Sequence, residues 1–478
     1  MAHDLSTELY NEIFSQIDLR ADLINVACAC RSFASLILPL HSEYRVIRAA
    51  GPVPWIWTHL VGRPDLARNI REIYLGYFGG DSIERLPTSL VKEVNDNDST
   101  TDDLVAARTM AAALVEMTRL EVISWGITEE PVVSLRYQHI VLQAMTRLSP
   151  LKSLTLLFDT KFSDWSQLPE EDSGLMWDLP NLKVVYLGGN AWTLPCYQTI
   201  LGLTQSSQTL ETLSIPGIVL DKHHSEINLP SLKELDAGFE FIIDPNISHF
   251  LKRHTSVETL TLAFKEPLSL LPGTLPHLRS LTAPVEFLRS MEASYQHWIS
   301  EGFCPTPWRI CKLNVRVCLA ELLTFTCLDR GALHHLHVRD DSPEEVRRTG
   351  ELFTNIKHIS VAPSKWILIA IEEGQTPFDE WVKLLASFKN VETFMDVGPY
   401  SPIAWDDHRL RAAVFTLASL CPKLQKFTQT ICAFENSSAS SRICIKRRKI
   451  SCDTTSTGTG QGTVVLNGEL IWYEVLET

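Results

Sequence analysis

One short phrase returns along the middle of this chain and limits its fold more than any other feature. Leu179-Pro180-Asn181-Leu182-Lys183-Val184-Val185 is echoed by Leu229-Pro230-Ser231-Leu232-Lys233-Glu234-Leu235 and by Leu275-Pro276-His277-Leu278-Arg279-Ser280-Leu281. A variant appears as Leu210-Glu211-Thr212-Leu213-Ser214-Ile215, as Val257-Glu258-Thr259-Leu260-Thr261-Leu262 and as Val391-Glu392-Thr393-Phe394. The frame is apolar at positions one, four and six, and it also fits from Leu120, Leu151, Ile310, Leu333 and Ile356; Leu424 opens a weaker copy. In a chain that is 45% apolar, such a bare template fits by chance in roughly one window in eleven. Context makes it specific. Several copies follow a proline, carry Lys, Arg or Glu second, and come after a helix-like segment.

Those helices have readable starts. Asp244-Pro245 opens one with Ile247, Phe250 and Leu251 on a face, the Asp capping and the Pro taking the first position. Ser342-Pro343-Glu344-Glu345 opens another with capping-box spacing. Thr376-Pro377 precedes Phe378, Trp381, Leu384, Leu385 and Phe388, and Asp406 to Leu420 supplies a fourth through Leu410, Val414 and Leu417. Helix, short loop and L-x-x-L-x-L strand together resemble the leucine-rich repeat, with steps from 21 (257 to 278) to 35 (356 to 391). One copy extends to Asn190, but most lack that Asn, so an irregular solenoid without a continuous Asn ladder is predicted. The resemblance implies an α/β array with a curved parallel sheet. Strands are predicted near 122–126, 153–157, 184–188, 212–216, 234–238 and 259–263, with Ile70 to Leu75 as a possible first strand.

The N-terminus carries a second pattern. Leu9, Ile13 and Ile17 sit four apart, and Leu23, Val26, Ala27, Cys30 and Phe33 recur at helical spacing, predicting two short amphipathic helices. Two such helices cannot bury their apolar faces alone and need a partner. The order Leu5-Ser6-Thr7-Glu8-Leu9, Ile13-Phe14, Asp22-Leu23 and Cys30-Arg31-Ser32-Phe33 through Leu36 resembles the F-box, polar positions Glu8, Asp22 and Arg31 included. Ser6 replaces the usual Pro, Ile17 a Leu, and Ala29 a Val; none changes the apolar pattern. The resemblance, to the many fungal F-box proteins with leucine-rich-repeat-like domains, implies the substrate receptor of a Skp–cullin–F-box (SCF) ubiquitin ligase. It implies a Skp-type adaptor bound through Leu5, Leu9, Ile13, Phe14 and Leu23, a cullin reached through it, and a protein substrate on the repeats. A non-catalytic repeat scaffold binding the adaptor outside any ligase is the alternative.

Composition narrows the remaining classes. A net charge of −14 argues against a general nucleic-acid coat. The N-terminus lacks a basic start with an apolar core, and no apolar run approaches the roughly 20 residues a spanning helix needs. A cytoplasmic or nuclear protein with no membrane partner is predicted. The 11 cysteines are scattered without a C-x-x-C pair, so free thiols are expected and neither metal nor cofactor is predicted. There is no G-x-S-x-G, H-E-x-x-H or P-loop, so no catalytic residue is assigned and no enzyme is predicted. Lys446-Arg447-Arg448-Lys449 is a basic cluster that an import receptor or an acidic surface would read.

In L-x-x-L-x-L strands positions three and five turn away from the core. Val184, Tyr186, Thr212, Ser214, Glu234, Asp236, Thr259 and Thr261 should therefore line the concave face. Lys312, Asn314, His335, His337 and His358 should continue it as a candidate substrate-binding end, the histidines gaining charge just below neutral pH. The predicted layout is an F-box over 1–45, a helical linker and array start over 46–115, and a repeat domain over 116–430. A disordered Ser/Thr/Gly-rich loop over 431–462 and a hairpin over 463–478, turning at Asn467-Gly468, complete it.

Overall fold

In the computed structural model the copies of the phrase run into strands, and all but the Ile310 copy do so from a turn. The structure describes residues 5–49, 54–76, 86–87, 103–127, 135–158, 179–188, 208–215, 228–237, 247–263, 267–315, 319–339, 343–362, 386–395, 415–416, 418–432, 438–449, 464–466 and 469–477. The helices predicted over 376–388 and 406–420 fall largely outside them, as does Asn190. The chain forms two compact units, Met1–Val257 and Glu258–Thr478.

The first unit begins with three helices, α1 (Thr7–Ser15), α2 (Arg20–Ala27) and α3 (Arg31–Ile37). The single second helix predicted over 23–33 is broken: α2 stops at Ala27, and Cys30 caps α3 by accepting from the Phe33 amide at 3.4 Å. The break lets Phe33 swing against Phe14 and Tyr10, with ring centroids 5.4 and 5.2 Å apart. Phe14, Leu23, Ala27 and Ile37 form the buried centre of this module.

Strands β1 (Val46–Ala49), β2 (Glu72–Leu75), β3 (Val122–Ile127), β4 (Ser153–Phe158), β5 (Val184–Gly188), β6 (Thr212–Ile215) and β7 (Glu234–Ala237) then pair in parallel, in chain order. The array starts earlier than predicted, since Val46–Ala49 precedes and pairs with the strand expected to be first. Helices α4 (Pro54–Gly62), α5 (Pro64–Ala67), α6 (Asp103–Glu116), α7 (Leu135–Met145) and α8 (Ile247–Arg253) occupy the connections.

In the second unit β8 (Thr259–Leu262), β9 (Ser280–Ala283), β10 (Lys312–Val315), β11 (His335–Arg339), β12 (His358–Ala362), β13 (Thr393–Met395) and β14 (Lys426–Cys432) are again parallel and sequential. Helices α9 (Val285–Ser300), α10 (Leu319–Leu322) and α11 (Pro343–Leu352) lie between strands. The C-terminal end is antiparallel: β15 (Ser438–Lys449) on β14, β17 (Glu469–Glu477) on β15, and β16 (Val464–Leu466) on β17. Residues 438–449 were expected in a disordered loop. They form a strand because β14 and β17 supply backbone partners on both sides, and the Lys446–Lys449 cluster lies within it.

The phrase does three things. Its first four residues close a turn, Leu182 N to Leu179 O at 3.2 Å and Leu232 N to Leu229 O at 3.1 Å, with Pro in the second place. Next, the amides of positions two and three share one carbonyl of the preceding copy: Lys183 and Val184 both donate to Lys152 O, at 2.7 and 3.0 Å. Last, positions one, four and six are buried, as at Leu182, Val185 and Leu187. Such a sheet is a leucine-rich-repeat-like α/β fold.

A ladder of side-chain hydrogen bonds links successive turns. The residue just before position one donates its side chain to a carbonyl two residues before position one of the previous copy. Asn181 reaches Ser149 O at 3.0 Å, Thr209 reaches Pro180 O at 3.2 Å, Ser231 reaches Gln208 O at 2.8 Å and Ser256 reaches Pro230 O at 3.1 Å. Asn355 on Gly331 O and Asn390 on Thr354 O, both at 2.8 Å, repeat the device in the second unit. These hooks tie each turn to the one before it.

Candidate functional site

The residues assigned to the adaptor divide into two sets. Leu5, Leu9 and Ile13 are 45, 53 and 48% exposed, whereas Phe14 and Leu23 are 2 and 0% exposed. Leu9 and Ile13 sit one helical turn apart on α1 and face solvent, with Leu5 just before the helix. Phe14 and Leu23 are core and cannot touch a partner directly. The reason is the position of α3: its Phe33 closes over Phe14 from the side that a two-helix module would leave open.

The C-terminal end of α1 is held by three arginines. Arg45 Nη2 donates to the carbonyls of Phe14 at 2.9 Å, Ser15 at 3.2 Å and Ile17, and its Nη1 donates to Asn69 O at 3.1 Å. Arg71 Nη2 and Arg119 Nη1 both donate to Ser15 O, at 2.9 and 2.7 Å. Cations here neutralise the unpaired carbonyls and the negative end of the helix dipole. Arg45 is 1% exposed. Burial, then the neighbouring Arg71 charge, pulls its pKa down to about 10, which leaves it cationic at neutral pH. Since Arg45 precedes β1, Arg71 precedes β2 and Arg119 precedes β3, the clamp fastens α1 directly to the first three repeats. Patterning places Arg45 and Arg71 at the second position of the frame, where other copies also carry Lys, Arg or Glu, so nothing in it marks these two as reaching back to α1.

The second candidate site lies on the outward face of the second unit. The register aligns Ser280, Lys312, His335, His358, Thr393 and Lys426 in one row, and Thr282, Asn314, His337, Ser360 and Met395 in the next. Lys312, Asn314, His335, His337 and His358 are therefore brought together as predicted from position numbering. The row continues to Thr393 and Lys426, which applying the same rule to the Val391 and Leu424 copies would have found. The His335 and His358 rings stack, with centroids 4.1 Å apart and planes 19° from parallel. Charging of these two just below neutral pH is not what the structure supports. Partial burial comes first, and the neighbouring His358 charge second for His335, in holding their pKa values below the ordinary histidine value.

Among the described residues no group of three or more His, Cys, Asp and Glu could hold a metal ion, and no helix is long and apolar enough to cross a membrane.

No family model matches this chain, and no curated protein matches it in sequence. Among solved structures it is similar to the leucine-rich repeat-containing protein LegL7 from Legionella pneumophila, at 10% identity and a TM-score of 0.28, over 62% of this chain and 78% of that one. That likeness is too slight to add to the repeat visible in the chain's own strands.

Proposed function

We propose that this chain is the substrate-receptor subunit of a Skp–cullin–F-box ubiquitin ligase. The observation that carries the reading is the apolar stripe of Leu5, Leu9 and Ile13, which the helical module leaves in solvent while burying Phe14 and Leu23 beside it. A stripe not needed for the module's own core is available to a partner helix or groove. Its residues are those through which the F-box resemblance implies adaptor binding. The outward face of the array would carry the target. The arginine clamp suits this task, because a receptor must hold its adaptor-binding helix at a fixed position on the array. No catalysis is assigned to the chain. It would act by proximity, raising the effective concentration of target lysines near a charged partner enzyme.

The test is co-purification of full-length tagged protein with a Skp-type adaptor and a cullin, for the natural chain and for the double variant Leu9→Asp, Ile13→Asp. Loss of both partners in a variant that retains its melting temperature is the expected result. Adaptor binding undiminished in that variant overturns the F-box assignment. Adaptor without any cullin in the natural protein would favour the scaffold reading instead.

A further inference from the structure

The basic cluster Lys446-Arg447-Arg448-Lys449 lies where its strand is bonded on one side only. β15 spans 12 residues. Its residues 438–444 pair with β14 and its residues 441–449 pair with β17. Residues 445–449 thus have β17 on one side and, among the described residues, no strand on the other. The cause is a mismatch of length. β14 starts at Lys426, opposite Cys444, and the chain before it makes a turn, Leu424 N to Cys421 O at 3.0 Å, that buries both of those residues. β15 runs on past that end through 445–449, roughly 17 Å. In an antiparallel pair every second residue directs its N–H and C=O away from the neighbour. The stretch therefore holds a row of backbone donors and acceptors for one more strand. On the far side of β17, residues 469–471 are already covered by β16.

The open stretch is also charged. Ile445-Lys446-Arg447-Arg448-Lys449 holds four cations and no anion. On β17 the residues in register with Lys446, Arg447 and Arg448 are Trp472, Ile471 and Leu470, and only Lys449 has a carboxylate, Glu469, opposite. Two such edges from two copies would set cations against cations, which disfavours pairing. A second copy could instead offer residues 472–477 of β17, which lie beyond β16 and include Glu474 and Glu477. That pairing is head-to-tail, so each dimer leaves one of each edge unfilled and invites further growth. A segment of a different protein has neither defect.

We propose that residues 445–449 of β15 are a docking edge for an extended acidic segment of a protein partner, which joins the sheet as a further strand in line with β14. Backbone hydrogen bonds supply the affinity, and the four cations select a partner rich in carboxylates. An extended chain can meet this edge, whereas a proline-broken one of equal charge cannot. Neither the outward face of the parallel strands nor the α1 stripe takes part, so the edge would serve a ligase subunit and a scaffold alike.

Full-length protein is titrated by fluorescence anisotropy with a short labelled peptide that alternates glutamate with threonine and valine. Two controls of equal charge are run beside it, one with prolines in place of the valines and one N-methylated at every backbone amide. The acidic peptide should bind at least about tenfold tighter than either control, since both lose the ladder bonds, and should weaken as salt rises. Arg447→Glu with Arg448→Glu should abolish binding. The milder Arg447→Gln with Arg448→Gln should weaken it at an unchanged melting temperature. Absence of binding by the acidic peptide overturns the inference. Equal binding of the peptide and its controls overturns it as well, because the cluster would then attract charge without adding a strand. Undiminished binding in the double Gln variant has the same force. Oligomers that grow with protein concentration in sedimentation, and vanish in the double Glu variant, would assign the edge to a second copy and overturn the partner proposed here.

Discussion

Arg45 and Phe14 are joined by a 2.9 Å hydrogen bond from guanidinium to backbone carbonyl, across 31 residues of sequence. The same guanidinium serves Ser15, Ile17 and Asn69. Replacing Arg45 by Met keeps the buried stem and removes the donors to the Ile17 and Asn69 carbonyls, while Ser15 keeps Arg71 and Arg119 and Phe14 keeps the Ile17 amide. At about 1–3 kcal/mol for each buried polar group left unsatisfied, a loss of about 3–5 kcal/mol is expected. Urea unfolding measures the total. Hydrogen exchange should show α1 opening ahead of β1–β3, and protection of α1 equal to the natural protein would refute the clamp.

Acid should loosen the first unit through two buried histidines. His254 accepts from the Leu229 amide at 2.9 Å through Nε2, and its Nδ1 lies 2.8 Å from Phe250 O, so the ring is needed neutral. Burial is the chief cause that lowers the pKa of His254, and of His41, from 6.5 to about 4. Folded values below the unfolded ones mean that the unfolded chain binds more protons between these limits. The stabilisation is fully present above about pH 6.5 and is lost as pH falls towards 4. For His254 alone this amounts to about 3 kcal/mol. His254→Leu should flatten the stability profile between pH 6.5 and 4 while costing about 1–3 kcal/mol at pH 7 for the stranded amide. An unaltered acid slope in that variant would assign the effect elsewhere.

Much of this array is readable in the sequence because its apolar frame has a fixed period. The phrase at Leu151 places β4 and the one at Leu210 places β6, since burial of positions one, four and six leaves a single register. The candidate row of Lys312, His335 and His358 follows from the same count. Other features are invisible to periodicity. The break at Cys28–Cys30 depends on a side-chain cap, and the Arg45 clamp depends on a tertiary contact with α1. Strand β1 carries only a weak copy of the frame, with Tyr44, Ile47 and Ala49 at positions one, four and six and no Leu, and its pairing with β2 identifies it as the first strand of the array. Residues 438–449 are low in apolar content at their start, and the backbone pairing that orders them leaves no compositional trace.

The hook ladder predicts a graded loss. Asn355 and Asn390 each donate at 2.8 Å to the preceding turn. Alanine at either site should cost about 0.5–1.5 kcal/mol, and the double variant about the sum if the two turns open independently. Serine in place of Asn355 should recover part of the loss, because Ser231 and Ser256 fill the equivalent positions. Denaturant midpoints measure this; a silent double variant would mean that the hooks only decorate turns already fixed by backbone bonds.

Gly76 follows β2 with φ +95, and a Cβ there would lie 1.9 Å from the Gly126 carbonyl oxygen. Both the backbone conformation and the close approach to β3 demand glycine. Gly76→Ala should cost about 1–3 kcal/mol for the conformation alone, and more for displacing Gly126. The melting temperature should fall accordingly, while an exposed glycine with open space around it, Gly62, should accept alanine with little change.

The split between Leu9, Ile13 and Phe14 separates stability from binding. Phe14 is buried in the module's centre and packs on Phe33, so Phe14→Ala should cost about 3–5 kcal/mol and weaken any adaptor binding only by unfolding α1–α3. Leu9 and Ile13 are about half exposed, so Leu9→Ala with Ile13→Ala should move stability by less than about 1 kcal/mol. If the stripe is the adaptor's contact, that mild variant should lose binding more completely than its stability predicts. Plotting adaptor affinity against unfolding free energy for these variants decides the matter. Points falling on one line would mean that binding only reports folding, and the exposed stripe would then have no role of its own.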